Sequence, residues 1–183
     1  VVADGVGERS VVRKASIEIS SRDVRADFAR AALLVNDALG EFVEASALTG
    51  EGPAAQGTLT LRVSAGRLDD VLNELRALGT VATEKSGGDD VTEQVVDLAA
   101  RVRNEQKVED ELLKLLESRK GAPLKEILDL REQVAKVRER IEQMTAQQER
   151  MARSVSLATI LVILRPETGV PADAESSREQ SAI

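Results

Sequence analysis

The chain has 183 residues, 42% hydrophobic and 31% charged, with a net charge of −7 at pH 7. It holds no Cys, His, Trp or Tyr, which excludes a Ser-His-Asp triad, a Cys nucleophile and Cys/His zinc sites. An acidic chain whose only aromatics are Phe28 and Phe42 lacks both the charge and the stacking surfaces for nucleic-acid binding.

In chain order, residues 1–10 read as a flexible lead-in. "VVRKASIEIS" alternates at Ala15, Ile17 and Ile19, which predicts a strand. "SRDVRADFARAALLVNDALG" predicts a helix, capped by Ser21 or Asp23 and closed by Gly40. "EFVEASALTG" and "TLTLRVSA" predict the next two strands, joined as an antiparallel hairpin through the turn-rich "EGPAAQG". "GRLDDVLNELRALG" predicts a second helix, with Gly79 as its C-cap, and "TVATEKS" a fourth strand. Two strand–helix–strand units in tandem are the pattern of a ferredoxin-like βαββαβ sandwich over residues 11–88.

Residues 89–152 predict an inserted pair of long helices. On the first, Val95, Leu98, Val102, Leu112 and Leu116 form an apolar stripe. On the second, Ile127, Leu130, Val134, Val137, Ile141, Met144 and Met151 recur at steps of three and four, with Gln148 among them. Gly121-Ala122-Pro123 is a short helix-to-helix link, which forces the two to lie antiparallel. The expected result is a coiled-coil αα-hairpin, each helix roughly 40–45 Å long. "SVSLATILVIL", within 153–165, predicts a buried fifth strand, expected at the sheet edge beside the fourth strand in the order 5-4-1-3-2 and antiparallel to that neighbour. Residues 166–183 are small and polar, expected as a disordered tether. The start at Val1 suggests a processed or excised fragment. The apolar run Val155 to Leu164 is too short to span a bilayer, so any membrane anchor is expected outside this chain.

"DDVTEQVVDLAARVRN", "EDELLKLL", "LREQVAKVRERIEQM" and "VSLATILVIL", with "RKASIEIS" and "GTLTLRVSAGRLDDVLNELRALGTV" before them, resemble the bacterial domain of unknown function 4349 family over roughly residues 11–165. An aromatic residue is usual in the family at the position of Val96, and this chain departs there. The resemblance implies an extracytoplasmic domain of the cell envelope, lipoprotein-like, flanked by anchoring segments absent from this chain. It carries no catalytic residues to transfer.

The residues themselves offer few sites. Asp89, Asp90 and Glu93 could ligate a divalent cation, but their spacing lacks a calcium-loop pattern, and with Thr92 they suit a helix N-terminus better. "GEGPAAQG" joins two strands rather than opening a helix, so it is no phosphate cradle. The 32 acids make chance carboxylate pairs inevitable, and none is singled out by its surroundings. Glu105 and Glu109 fall on the first helix's seam, unless that seam shifts to Val108 and leaves them solvated, which is the expected case. Lys114, Arg119, Lys120 and Lys125 make a small basic tip, read either as solvated turn charges or as a contact with an acidic partner or anionic lipid. No enzyme activity, cofactor or metal is expected. The function expected is a membrane-anchored interaction or assembly domain whose hairpin contacts a protein partner or a second copy. The alternative is a small-molecule sensor that binds its ligand on the open sheet face.

Overall fold

The computed structural model describes residues 9–167. The lead-in at 1–8 and the tether from 168 onward lie outside the described residues. The elements are β1 (Val11–Ser21), α1 (Val24–Ala32), β2 (Phe42–Thr49), β3 (Gln56–Ser64), α2 (Leu68–Arg76), β4 (Thr80–Asp90), α3 (Thr92–Ser118), α4 (Leu124–Ser156) and β5 (Leu157–Pro166). The fold is α+β, with a five-stranded mixed sheet. Two compact units divide it. Residues 14–87 and 158–167 form the sheet unit, and residues 9–13 and 88–157 the helical unit.

The strand order is β2-β3-β5-β1-β4, which corrects the expected 5-4-1-3-2. β5 lies between β1 and β3 rather than at an edge. It runs parallel to β1, with Ile17 beside Val162 and Ile19 beside Leu164. The composition of the strands explains the placement. β5 has fully buried Ala158, Ile160, Val162 and Leu164 on one face, and a central position sets that continuous apolar face at the middle of the core, while on the other face Leu161 stays exposed and Ile163 half-buried. β4 is exposed along nearly its whole length and β2 carries a bulge between Val43 and Ala45, and these two strands form the edges.

The sheet unit's core is aliphatic. Ile17 and Ile19 of β1 and Leu59, Leu61 and Val63 of β3 alternate onto the same face as the buried residues of β5. Leu68, Val71, Leu72 and Leu75 of α2 close over that face, joined by Val24 and Ala31 of α1. At the start of α1, Asp23 accepts a hydrogen bond from the Ala26 N–H at 3.0 Å, as a cap should.

Three local expectations are corrected. α1 ends at Ala32 rather than near Gly40. From Asn36 the chain enters a short 3₁₀ turn, because the Asn36 side chain accepts from the Ala38 N–H at 3.0 Å and the Glu41 carboxylate accepts from the Asn36 N–H at 2.8 Å. Gly40 closes that turn with φ 72° instead of closing α1. Gly79 is not a left-handed cap. It is glycine because a Cβ there would stand 2.4 Å from the Ser20 carbonyl oxygen and 2.9 Å from Ile19 Cγ2.

Candidate functional site: the α3–α4 helix pair

α3 and α4 lie antiparallel in the helical unit. Arg119 reaches Glu126 at 3.6 Å, Arg138 pairs with Glu109, and Arg140 pairs with Glu105 at 2.9 Å. As one partner moves back along α3, the other moves forward along α4 by nearly the same amount. That is the signature of antiparallel packing about the turn at residues 119–123. α3 lacks a left-handed glycine cap; the Arg119 N–H donates to the Leu115 carbonyl, and Pro123 precedes α4.

The stripe residues face one another to different degrees. Leu98, Val102, Val134 and Val137 are buried. Val95, Leu112, Leu116, Ile127, Leu130, Ile141, Met144 and Met151 are half-buried, as is Gln148. Two helices alone cannot enclose a whole seam, so outside the four buried residues the stripe's side chains keep one flank in water.

Glu105 and Glu109 are the departure from expectation. They occupy the stripe, with side chains only 28% and 19% exposed, while Val108 is 41% exposed. The seam therefore does not shift to Val108. The aliphatic stems pack along the seam and the carboxylates reach outward to Arg140 on one flank and Arg138 on the other. Arg138 and Arg140 lie off the apolar stripe that periodicity picks out. Their signal was available, since an antiparallel link at Gly121–Pro123 sets Arg138 and Arg140 opposite the two glutamates.

At the turn, Lys114, Arg119, Lys120 and Lys125 are all exposed. The same turns carry exposed Glu117, Glu126 and Asp129, so cations and acids alternate rather than forming one basic surface.

The opposite end of the helical unit is held by a polar knot. Arg9 grips Asp90 through two nitrogens, at 2.7 and 3.0 Å, and the Thr92 hydroxyl donates to the other Asp90 oxygen at 2.6 Å. The Ser10 N–H donates to that hydroxyl at 2.9 Å, and the Val91 N–H donates to the Ser10 carbonyl at 2.8 Å. Hydrogen bonds from the Thr92 side chain, then from Arg9, hold the Asp90 carboxyl down at about 2. Asp90 thus anchors the start of α3. Among the described residues no group of three Asp or Glu is placed to hold a metal ion. Beside the knot lies an open groove of about 430 Å³, walled by Val95, Met151 and Val155 with Gln148 and Arg9 at its rim.

In the sheet unit, Glu41 is a buried carboxylate with three donors: the Asn36 N–H at 2.8 Å, the Ser64 N–H at 2.9 Å, and Arg67. Burial alone would raise its pKa. The donors outweigh that and hold it below the usual carboxylate range. A second polar depression of about 400 Å³ is lined by Arg22, Asp23, Asp27, Arg30 and Glu167; Arg22 pairs with Glu167 at 3.1 Å, Arg30 pairs with Asp27 at 3.2 Å, and Asp23 accepts from the Ala26 N–H as the cap of α1. Both clusters satisfy their own charges, so they read as structural ties.

No helix among the described residues is long and apolar enough to cross a membrane. No curated protein and no solved structure matches the chain. The family pattern of domain of unknown function 4349 matches residues 9–183, from the Arg9 of the polar knot through both helices and β5. The chain therefore belongs to the domain of unknown function 4349 (DUF4349) family.

Proposed function

We propose that this chain is a non-enzymatic interaction and assembly domain, anchored to the extracytoplasmic side of a bacterial membrane by segments outside the sequence given, with α3 and α4 as a coiled-coil hairpin that makes its contacts. The observation that carries this is the mismatch between the helices' length and their burial. They run for 27 and 33 residues, yet only Leu98, Val102, Val134 and Val137 are buried between them. Leu115, Leu124 and Leu128 stay 40%, 72% and 53% exposed. Long helices with half-covered stripes are stable surfaces for further helices. The alternating steps of three and four on both stripes support the coiled-coil reading.

We read the sheet as a ferredoxin-like βαββαβ sandwich with a fifth strand added. Omitting β5 from the order leaves β2-β3-β1-β4, and α1 and α2 each follow the first strand of a strand–helix–strand unit. The membrane location rests on the family's typical architecture.

The test is photo-crosslinking in cells that carry the full-length protein. Probes at Lys114 and Lys120 are compared with a probe at Lys85 on β4, with membranes fractionated first. Discrete crosslinked species from the helix probes alone, in the envelope fraction, support the reading. Helix probes that capture nothing beyond the Lys85 probe, or protein absent from the envelope, would sink it.

A further inference from the structure

α4 carries a second stripe, roughly a quarter-turn round the helix from the seam. It also steps by alternating fours and threes, from Leu128 to Ala152. Its charges are segregated. Arg131 and Arg138 lie in the half near the turn, and Glu142 and Glu149 in the other half. Ala135 and Thr145 sit between them. Arg131, Glu142 and Glu149 are exposed and have no ion pair among the described residues. Arg138 already holds Glu109 yet remains 58% exposed, and a guanidinium has five N–H donors, enough for a second acceptor.

We propose that this stripe is a self-association surface, on which α4 packs antiparallel against α4 of a second copy. The inference rests on the reading of the hairpin as an assembly element and names its partner. The charge order decides both the partner and the direction. Two copies laid antiparallel, with the two-fold axis midway between Arg138 and Glu142, set Arg131 against Glu149 of the second copy and Arg138 against its Glu142. The same register sets Ala135 against Thr145 and Leu128 against Ala152. Each member of the stripe meets another member, and each pair occurs twice, as a two-fold interface requires. A parallel pairing would set arginine on arginine and glutamate on glutamate. Ala135, Thr145 and Ala152 are small, so the helix axes can approach to the short end of the usual roughly 8–10 Å spacing. The contact would cover the exposed Leu128 and match opposite charges along its flank, as paired helices do when charge sets their orientation.

The experiment uses the whole chain, with its oligomeric state measured by light scattering at low salt and its helicity by circular dichroism. The wild type is expected to dimerise. Arg131→Glu and Glu149→Arg are each expected to weaken dimerisation by about tenfold or more with helicity unchanged, because like charges then face each other twice. The combined Arg131→Glu/Glu149→Arg chain restores opposite charges and is expected to dimerise again. The chain has no cysteine, which permits a direct geometric check. A mixture of Ala135→Cys and Thr145→Cys chains should join through a short bismaleimide linker, and neither variant alone should. A monomeric wild type, single reversals without effect, or Ala135→Cys joining to itself would each overturn the proposal. Dimers indifferent to these charges, alongside positive photo-crosslinks from the helix probes, would reject this surface while leaving the assembly reading intact. A monomer with silent helix probes would reject both.

Discussion

Glu105 lies on the seam between α3 and α4, and its carboxylate takes the Arg140 guanidinium at 2.9 Å. One turn further on, Glu109 does the same with Arg138. Two neighbouring carboxylates thus stand where the stripe calls for aliphatic side chains. Their pairing defines one alignment of the helices, because sliding α4 by a turn would leave both glutamates without their arginines.

Replacing both, as Glu105→Leu/Glu109→Leu, is expected to stabilise the helix pair by about 1–2 kcal/mol, since apolar seam residues replace half-buried charges. Urea unfolding followed by circular dichroism reads this. The single charge removal Arg140→Ala should move stability by less than about 1 kcal/mol, as its pair is half-exposed. A double-leucine variant less stable than wild type would show that the glutamates supply net stability instead of alignment.

Glu41 is the buried charge that holds the sheet unit's turns together. Glu41→Ala is expected to destabilise by about 3 kcal/mol, because the Asn36 and Ser64 N–H groups and Arg67 lose their acceptor together. The pH dependence follows from its lowered pKa. A carboxyl whose folded pKa lies below its unfolded value stabilises the fold above the unfolded pKa, near 4.5, and loses that contribution as pH falls through the folded value. Denaturant midpoints measured from pH 6 down to pH 2 should fall less steeply for Glu41→Ala than for wild type. Parallel curves would refute the assignment.

Asp90 is expected to titrate with a midpoint of about 2, well under its ordinary 3.8. Its folded pKa is lowered, so the knot is intact above 3.8 and is lost as pH falls through about 2. A side-chain NMR titration gives the midpoint directly. Arg9→Ala should move it upward only part of the way, since the Thr92 hydroxyl is the larger cause. A midpoint already near 3.8 in the wild type would mean that the knot does not form.

Gly79→Ala is expected to destabilise by about 1–3 kcal/mol, since the added carbon would meet the Ser20 carbonyl and Ile19. Gly87→Ala, where nothing lies within 4 Å, should change stability by less than about 0.5 kcal/mol. Thermal melts of the two variants compare strain with open space. Equal melting temperatures would remove the close-packing account of Gly79.

By itself the sequence determined the kinds of element and their inward faces. Alternation at Ile17, Ile19, Leu59, Leu61 and Val63, and the spacing of Leu68, Val71, Leu72 and Leu75, record local geometry that each segment carries alone. The link at Gly121–Pro123 likewise dictated antiparallel helices. Tertiary structure decided what depends on competition between segments. β5 took the centre of the sheet because it outcompeted β4 for burial, a comparison no single window contains. α1 stopped at Ala32, where the Leu33 and Leu34 N–H groups turn back to Arg30 and Ala31, and Glu41, nine residues further on, holds the Asn36 N–H in the turn that follows. Gly79 resembled a cap until Ser20 was seen packed against it. The two seam glutamates could be placed only once Arg138 and Arg140 stood across from them. Periodicity reports which face of a segment prefers to be dry, whereas the partner that covers it is set by the free energy of the whole chain.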